Sequence, residues 1–279
     1  MHSVRVLSLP KNMEEAVDAV KSIMEDKVFG ASGNNIVVEE FLTGPEVSVL
    51  SFTDGKTVAP MISSMDHKRA LDGDKGLNTG GMGTVAPNPF YTEAVAKECM
   101  ETIFVPTIKA MQAEGCPFKG CLYFGLMLTP DGPKVIEYNS RFGDPETQVV
   151  LPLLKTPLID VVEAVADEKL NEISVEFSDE ACACVILASG GYPGSYKKGI
   201  EINGLNEKGN VDGATVYHAG TKCENGKILT NGGRVLGVTA KADTLEDALK
   251  KAYTAAETID FEGVHKRTDI GQRALSALK

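Results

Sequence analysis

The segment 135–148 holds the residues whose types and spacing best suit chemistry. It runs from Val135-Ile136 into Glu137, Asn139 and Arg141. Side chains on a β-strand alternate between faces with a period of two, so these three would share one face. Carboxylate and amide oxygens are ligands that Mg²⁺ takes when it bridges nucleotide phosphates, and an arginine supplies a fork of donors to an anionic oxygen. The alternative is a solvated polar strand end, and the residues alone leave both interpretations open.

An apolar run that ends in acids lies nearer the start of the chain. Val37-Val38 is followed by Glu39 and Glu40, and Glu46 comes after the turn Thr43-Gly44-Pro45. The edge of such a strand offers backbone amides and carbonyls to a base, and a later carboxylate can hold ribose hydroxyls. Glutamates at strand ends are usually solvated, so this pattern by itself is weak.

Residues 63–89 are rich in Gly, Asp, Asn and Lys without a period, which predicts one long loop. Long ordered loops in compact domains are usually functional. The loop contains Asp66-His67-Lys68-Arg69 and then the glycine-rich residues 78–83. Glycines let successive amides turn toward one anion, and Lys68 and Arg69 would add positive charge. A flexible surface loop is the alternative, and His67 is interpreted as a hydrogen-bonding residue rather than a metal ligand.

The elements that must position these residues follow from periodicity and turn signals. An amphipathic helix is predicted from Asn12, with Glu15 in a capping box, to near Gly30. A domain boundary is expected near residue 176, where strands and glycine turns replace helices. The remaining predicted elements are a strand at 36–41, a hairpin at 46–62, a helix at 92–115 divided at Pro106, a hairpin at 120–138, a helix at 157–169, a strand at 181–188, a hairpin at Asn225-Gly226, a strand at 234–240 and a helix at 244–259.

Composition excludes several classes of protein. The net charge is −11 and no run of Lys or Arg forms a basic stripe, which argues against nucleic acid and anionic membranes as partners. No apolar stretch approaches the roughly 20 residues of a membrane span and no signal peptide is evident, so we expect a cytoplasmic protein. The six dispersed cysteines are expected to be reduced and mostly buried. The P-loop and dinucleotide glycine motifs do not occur.

Seven motifs follow in order along the chain: residues 39–46, DHKR at 66–69, NTGGMG at 78–83, IEYNSRFGDPETQ at 136–148, SGGYPG at 189–194, HAGT at 218–221 and TNGGRVLGVTA at 230–240. Together they resemble the phosphoribosylamine-glycine ligase (glycinamide ribonucleotide synthetase) family of the ATP-grasp superfamily. The resemblance implies an α+β fold in which a partial ATP-grasp domain, an antiparallel sheet flanked by helices, precedes a smaller α+β C-terminal domain. Residues 1–40 would be a remnant of the lid subdomain, 41–176 the ATP-grasp core and 177–279 the C-terminal domain, which is expected to carry no catalytic residue.

The resemblance also assigns roles to residues of this chain. It implies ATP-dependent ligation of glycine to 5-phosphoribosylamine with Mg²⁺ or Mn²⁺, through a glycyl phosphate intermediate, by a monomer. Arg141 and Asp144 would line the reaction centre, and Glu137 and Asn139 would bind the metal. The ATP-binding residues would be Glu39, Glu40, Phe41, Leu42 and Glu46. The residues facing substrate and phosphate would be Asp66, Lys68, Arg69, Asn78, Thr79, Gly80, Gly81 and Gly83.

The family pattern includes an N-terminal domain and a first part of the ATP-grasp region that the match does not contain. We therefore expect low activity from this chain alone. Two alternatives stay open: a catalytically inert nucleotide- or phosphate-binding module derived from such a ligase, and another ATP-grasp ligase of the purine pathway. The loops at 66–69 and 78–83, together with residues 230–240, favour the glycine ligase over the second of these.

Overall fold

The computed structural model describes Pro10 and residues 12–279, and the described chain divides into two compact units between Leu42 and Thr43. In the first unit, helix α1 (Met13–Met24) begins where the sequence predicts, because the Asn12 side chain accepts a hydrogen bond of 2.9 Å from the Glu15 amide. The helix ends before Gly30, and a 3₁₀ turn covers Gly30–Asn34. No residue of α1 is buried.

The strand predicted at residues 36–41 is wrong. The backbone there is irregular, and the side chains of Val37 and Val38 are 82% and 85% exposed. Apolar β-branched composition favours a strand only where a neighbouring strand takes up the backbone hydrogen bonds, and none of the strands in the described part of the chain is paired with this run.

The second unit contains every strand of the described chain and six further helices, α2 to α7. The strands are β1 (Glu46–Thr53), β2 (Val58–Pro60), β3 (Met65–Asp66), β4 (Arg69–Leu71), β5 (Lys75–Asn78), β6 (Gly83–Ala86), β7 (Gly120–Thr129), β8 (Gly132–Asn139), β9 (Ala181–Ala188), β10 (Thr215–His218), β11 (Thr221–Glu224), β12 (Lys227–Thr230) and β13 (Arg234–Ala242). The helices are α2 (Glu93–Cys99), α3 (Val105–Ala113), α4 (Thr147–Val150), α5 (Leu158–Ala166), α6 (Leu245–Glu257) and α7 (Gln272–Ala277).

The first sheet has the order β2-β1-β7-β8 and is antiparallel throughout, so both predicted hairpins are confirmed. One face packs on α2 and α3, which are joined by a π turn over Met100–Phe104 just before Pro106. Phe104 and Phe124 meet there with ring centroids 4.3 Å apart. The opposite face carries Leu50, Phe52 and Tyr123 into a second core.

The second sheet has the order β10-β13-β9-β6-β3 and lies across that second core. The prediction of one loop over residues 63–89 is wrong, because this segment forms β3 to β6. Pairing of β6 with β9, which lies far along the chain, holds it in the sheet, and such pairing has no signal in the local sequence. Strands from both sides of residue 176 share this sheet, and the boundary there stays a prediction.

The later elements agree with the sequence. The strands near 181–188 and 234–240, the hairpin β11-β12 and the helices α5 and α6 all form. Thr244 caps α6 by accepting from the Asp247 amide at 3.1 Å. All six cysteines are free, and four of them, Cys99, Cys121, Cys182 and Cys184, are buried. Across the described part of the chain, no helix is both long and apolar enough to span a bilayer.

Candidate active site

Glu137 and Asn139 lie on the same face of β8, as the sequence predicts. The Asn139 amide donates a hydrogen bond of 3.4 Å to Glu137 Oε1. Tyr138 between them faces the helices, where its ring meets that of Phe124 at a centroid distance of 5.6 Å. The carboxylate and the amide are therefore presented side by side on the face opposite the helices.

A β-bulge aims Glu137 at this face. Gly125 pairs with Glu137 and Leu126 pairs with Val135, so Ile136 is an extra residue without a partner in the ladder. Val135 therefore packs toward the helices, and Glu137 faces the other way. A Cβ atom on Gly125 would lie only 3.0 Å from Glu137 Cγ, so the glycine leaves space for this side chain.

The pair fits a hard divalent cation by the chemistry of its donors. A carboxylate and an amide oxygen are suited to Mg²⁺, which keeps several waters and takes few protein ligands when nucleotide phosphates complete its shell. Among the described residues, no group of three or more His, Cys, Asp and Glu side chains could form an all-protein metal cage. Metal binding by Glu137 and Asn139 stays a prediction.

A buried hydrogen-bonded trio supports the neighbouring part of the sheet. Tyr123, which stands opposite Asn139 in the register, shares a hydrogen bond of 2.7 Å with Ser48 and donates one of 3.0 Å to Glu146 Oε1. Burial raises the pKa of Glu146, although the Tyr123 hydroxyl partly offsets this. Burial together with the Glu146 charge also raises the pKa of Tyr123.

Two of the three DHKR residues predicted to face substrate, Asp66 and Lys68, lie close to the Glu146 carboxyl group. Burial and the neighbouring Glu146 raise the pKa of Asp66 well above its ordinary value. Lys68 Nζ lies 2.7 Å from Glu46 Oε2. Burial opposes the charge on Lys68, but the carboxylates of Glu46, Asp66 and Glu137 outweigh it and raise the lysine pKa. Glu46, Asp66, Lys68 and Glu137 thus form one electrostatic cluster.

Asp144 joins this region through a residue that sequence reasoning missed. Arg234 at the start of β13 donates from Nη2 to Asp144 Oδ2 at 3.1 Å and from Nη1 to the Asp144 carbonyl at 2.9 Å. Gln148 donates to the other Asp144 oxygen at 2.9 Å. The sequence analysis expects no catalytic residue in 177–279, and the arginine within the motif at 230–240 is the signal that could have found this contact.

The glycine-rich residues 78–83 are packed rather than open. The Gly80 amide donates to Tyr192 Oη at 3.1 Å, and the Gly81 amide donates to Thr79 Oγ1 at 3.0 Å. Gly83 begins β6, and a Cβ atom there would lie 2.8 Å from the Cys184 carbonyl oxygen. In this arrangement the Gly80 and Gly81 amides are used within the protein, so a phosphate role for this loop stays a prediction.

Three other predicted site residues, Arg69, Asn78 and Arg141, have contacts of their own. Arg69 and Asn78 face each other across the β4-β5 hairpin, and Arg69 Nη1 donates to the Gly76 carbonyl at 2.8 Å. Arg141 lies beyond the end of β8 and donates to the Phe142 carbonyl at 2.9 Å. The predicted ATP-binding residues 39–42 belong to the first unit, which has no regular element at that point.

His67 is a buried hydrogen-bonding residue. Its Nε2 accepts from the Gly271 amide at 3.1 Å, so the proton is on Nδ1, which donates to the Gly83 carbonyl at 3.1 Å. Burial, followed by the charge of Arg267, lowers the His67 pKa from 6.5 to about 4. The imidazole is therefore neutral in the folded protein at neutral pH.

We expect His67 to make stability depend on pH. The unfolded chain binds a proton below about pH 6.5 and the folded chain does so only below about pH 4, so stability falls as pH falls between these values. The advantage of the wild type over His67→Gln in unfolding free energy should shrink by about 2–3 kcal/mol across this range. Urea unfolding at several pH values measures it. Asp66 and Glu146 contribute a pH dependence of the opposite sign, which is present in both proteins and cancels in the comparison. A difference in unfolding free energy that stays constant with pH would contradict the prediction.

Comparison with known proteins identifies the family. The model described as "Phosphoribosylglycinamide synthetase, ATP-grasp (A) domain" matches residues 3–147, and the model for the C domain of the same synthetase matches residues 182–273. The chain belongs to the phosphoribosylglycinamide synthetase family. The two matches leave residues 148–181 between them, a range that includes the predicted boundary.

Relatives of known name agree with this synthetase family. A phosphoribosylamine-glycine ligase of Caldanaerobacter subterraneus is 49% identical over 92% of this chain and 61% of the relative. The trifunctional purine biosynthetic protein adenosine-3 of Gallus gallus is 51% identical over 96% of this chain and 27% of its own length. The crystal structure of the Thermotoga maritima phosphoribosylamine-glycine ligase superposes with a TM-score of 0.82 at 33% identity, covering 92% of this chain and 63% of that one. The chain thus spans less than two thirds of these relatives.

Proposed function

We propose that this chain takes part in the ATP-dependent ligation of glycine to 5-phosphoribosylamine, giving glycinamide ribonucleotide, ADP and phosphate. The observation that carries the proposal is the juxtaposition of Glu137 and Asn139 on β8 with Lys68 and Glu46, in a chain whose family is that of the synthetase. The reaction belongs to purine biosynthesis, and we place it in the cytoplasm, in a monomer that binds neither nucleic acid nor membrane.

The proposed chemistry has two steps. A glycine carboxylate oxygen attacks the γ-phosphorus of ATP and ADP leaves, which gives glycyl phosphate. The amine nitrogen of phosphoribosylamine then attacks the acyl carbon, inorganic phosphate leaves and the nitrogen loses a proton. Phosphoryl transfer of this kind depends on positioning and on neutralising charge more than on acid-base groups.

The residues of the cluster suit those requirements. Glu137 and Asn139 would hold Mg²⁺ or Mn²⁺, which supplies charge neutralisation at the nucleotide phosphates when bound. Lys68 keeps its positive charge because three carboxylates surround it, so it can face an anionic substrate group. Arg141 can supply donors to the transferred phosphoryl group, and Asp144 is held by Arg234 beside the glycine-rich residues. Glu39, Glu40, Phe41, Leu42 and Glu46 are proposed for ATP, and the residues at 66–69 and 78–83 for substrate and phosphate.

An assay of ADP release on this chain tests the proposal. We expect release at a low rate that requires Mg·ATP, glycine and phosphoribosylamine together, and we expect calorimetry to detect ATP binding only with Mg²⁺ or Mn²⁺ present. Binding of Mg·ATP without ADP release that depends on both co-substrates would instead support the inert nucleotide-binding module. Absence of both binding and release would contradict both functions.

A further inference from the structure

Two motifs of the C-terminal part meet at one residue, Gly80, near the candidate site. The first supplies Tyr192, whose hydroxyl oxygen accepts from the Gly80 amide at 3.1 Å. The second supplies Arg234, whose Nη1 donates to the Gly80 carbonyl at 2.6 Å. Gly80 is therefore held at its amide nitrogen and at its carbonyl oxygen by residues that lie more than a hundred positions along the chain.

The local glycines make this contact possible. A Cβ atom on Gly80 would lie 2.9 Å from Arg234 Cζ, so a side chain there would displace the guanidinium. A Cβ atom on Gly233 would overlap the Tyr192 ring. Ser189 ties the two motifs together, because its Oγ donates to the Gly232 carbonyl at 2.8 Å and its amide donates to the Gly233 carbonyl at 2.7 Å. The segments that carry Tyr192 and Arg234 are thus joined to each other by the two hydrogen bonds of Ser189.

The same guanidinium fixes Asp144. One nitrogen of Arg234 contacts the Gly80 and Asp144 carbonyl oxygens, while the other contacts the Asp144 carboxylate. Its side chain is 20% exposed. Gly81, the next residue of the loop, lies against Asp66 and Pro145, since a Cβ atom there would be 2.6 Å from Asp66 Oδ1. A shift of the Arg234 side chain would therefore change the contacts of residues 80–81, of Asp144 and of Asp66.

We propose that Tyr192 and Arg234 are positioning residues that hold Gly80 and Asp144 in the arrangement that phosphoribosylamine binding requires. This assignment rests on the proposed function. It gives the motifs at 189–194 and 230–240 a positioning role. Binding of the substrate would then depend on the C-terminal part of the chain.

Hydrogen exchange followed by mass spectrometry tests the contacts of Tyr192 and Arg234 with Gly80 without any ligand. We expect peptides covering residues 76–82 to exchange about five- to tenfold faster in Tyr192→Phe and Arg234→Met, because each variant removes hydrogen bonds from Gly80. Tyr196→Phe is the matched control for the tyrosine, since its ring packs edge-on against Tyr192 at 6.3 Å. Arg273→Met, which removes a guanidinium 5.4 Å from the Phe90 ring, is the control for the arginine.

Calorimetry with two probes tests the positioning role. We expect Arg234→Met to bind glycinamide ribonucleotide about tenfold or more weakly, with Mg·ADP affinity unchanged within about twofold, and Arg234→Lys to recover part of the loss. Exchange of residues 76–82 at the wild-type rate in both variants would show that Tyr192 and Arg234 do not hold Gly80. Faster exchange with unchanged product affinity, or equal weakening of both probes, would overturn the positioning role. If the wild type binds neither probe, both the proposed function and the positioning role are contradicted. The exchange result still decides whether Tyr192 and Arg234 hold Gly80 in solution.

Discussion

Replacing Glu137 with glutamine should lower the rate of ADP release by about a hundredfold or more. The substitution keeps the size of the side chain and the contact with Asn139 but removes the charge that would balance a divalent cation. Because the variant retains an amide oxygen, a higher concentration of Mg²⁺ or Mn²⁺ should recover part of the rate. The effect should therefore appear as a shift of the metal dependence as well as a loss of turnover.

The matched control is Glu224→Gln, a glutamate on β11 that pairs with Lys222 on the surface. It should leave turnover and metal dependence unchanged. Thermal melting of both variants separates chemistry from folding. A Glu137→Gln protein with wild-type turnover would contradict the metal assignment, and one that loses activity only because it unfolds would indicate a structural role.

Arg267→Met should destabilise the protein by about 2–4 kcal/mol. The guanidinium is 1% exposed and contacts both oxygens of Asp269, at 2.8 Å and 3.0 Å. It also donates to the Arg69 carbonyl at 3.1 Å, which anchors the β4-β5 hairpin to the C-terminal segment. The pair with Asp74 adds little, because that carboxylate is 63% exposed. The cost comes mainly from leaving Asp269 and the Arg69 carbonyl without their partner.

Urea unfolding of Arg267→Met measures this cost, with Arg273→Met as the control from the same segment. Burial opposes the charge on Asp269, but hydrogen bonds from Arg267 and the Gly73 amide lower its pKa to about 2. The stability that this carboxylate contributes is present above its ordinary pKa of 3.8 and is lost as pH falls toward about 2. The difference in unfolding free energy between the wild type and Arg267→Met should decrease as pH falls over that range. Equal stability of the two proteins at neutral pH would contradict the prediction.

Local rules account for the parts of the fold that were predicted correctly. The Asn12 cap and the hairpin at Asn225-Gly226 depend on residues within a few positions of one another. The same-face placement of Glu137 and Asn139 follows from the strand period. The failed strand at 36–41 shows the limit of such rules, because composition does not say whether a partner strand is present.

The sequence by itself determined the hairpins at 46–62, 120–138 and Asn225-Gly226, most helices, the family and the placement of Glu137 and Asn139 on one face. Tertiary structure alone decided that the segment at 63–89 joins a sheet with β9, that a bulge at Ile136 turns Glu137 away from the helices, and that Arg234 reaches Gly80 and Asp144. The physical reason is range. Caps, turns and side-chain periods are set by neighbours in the chain, whereas sheet order and the reach of an arginine depend on which distant segments pack together, since burial and backbone pairing are satisfied only in the complete fold.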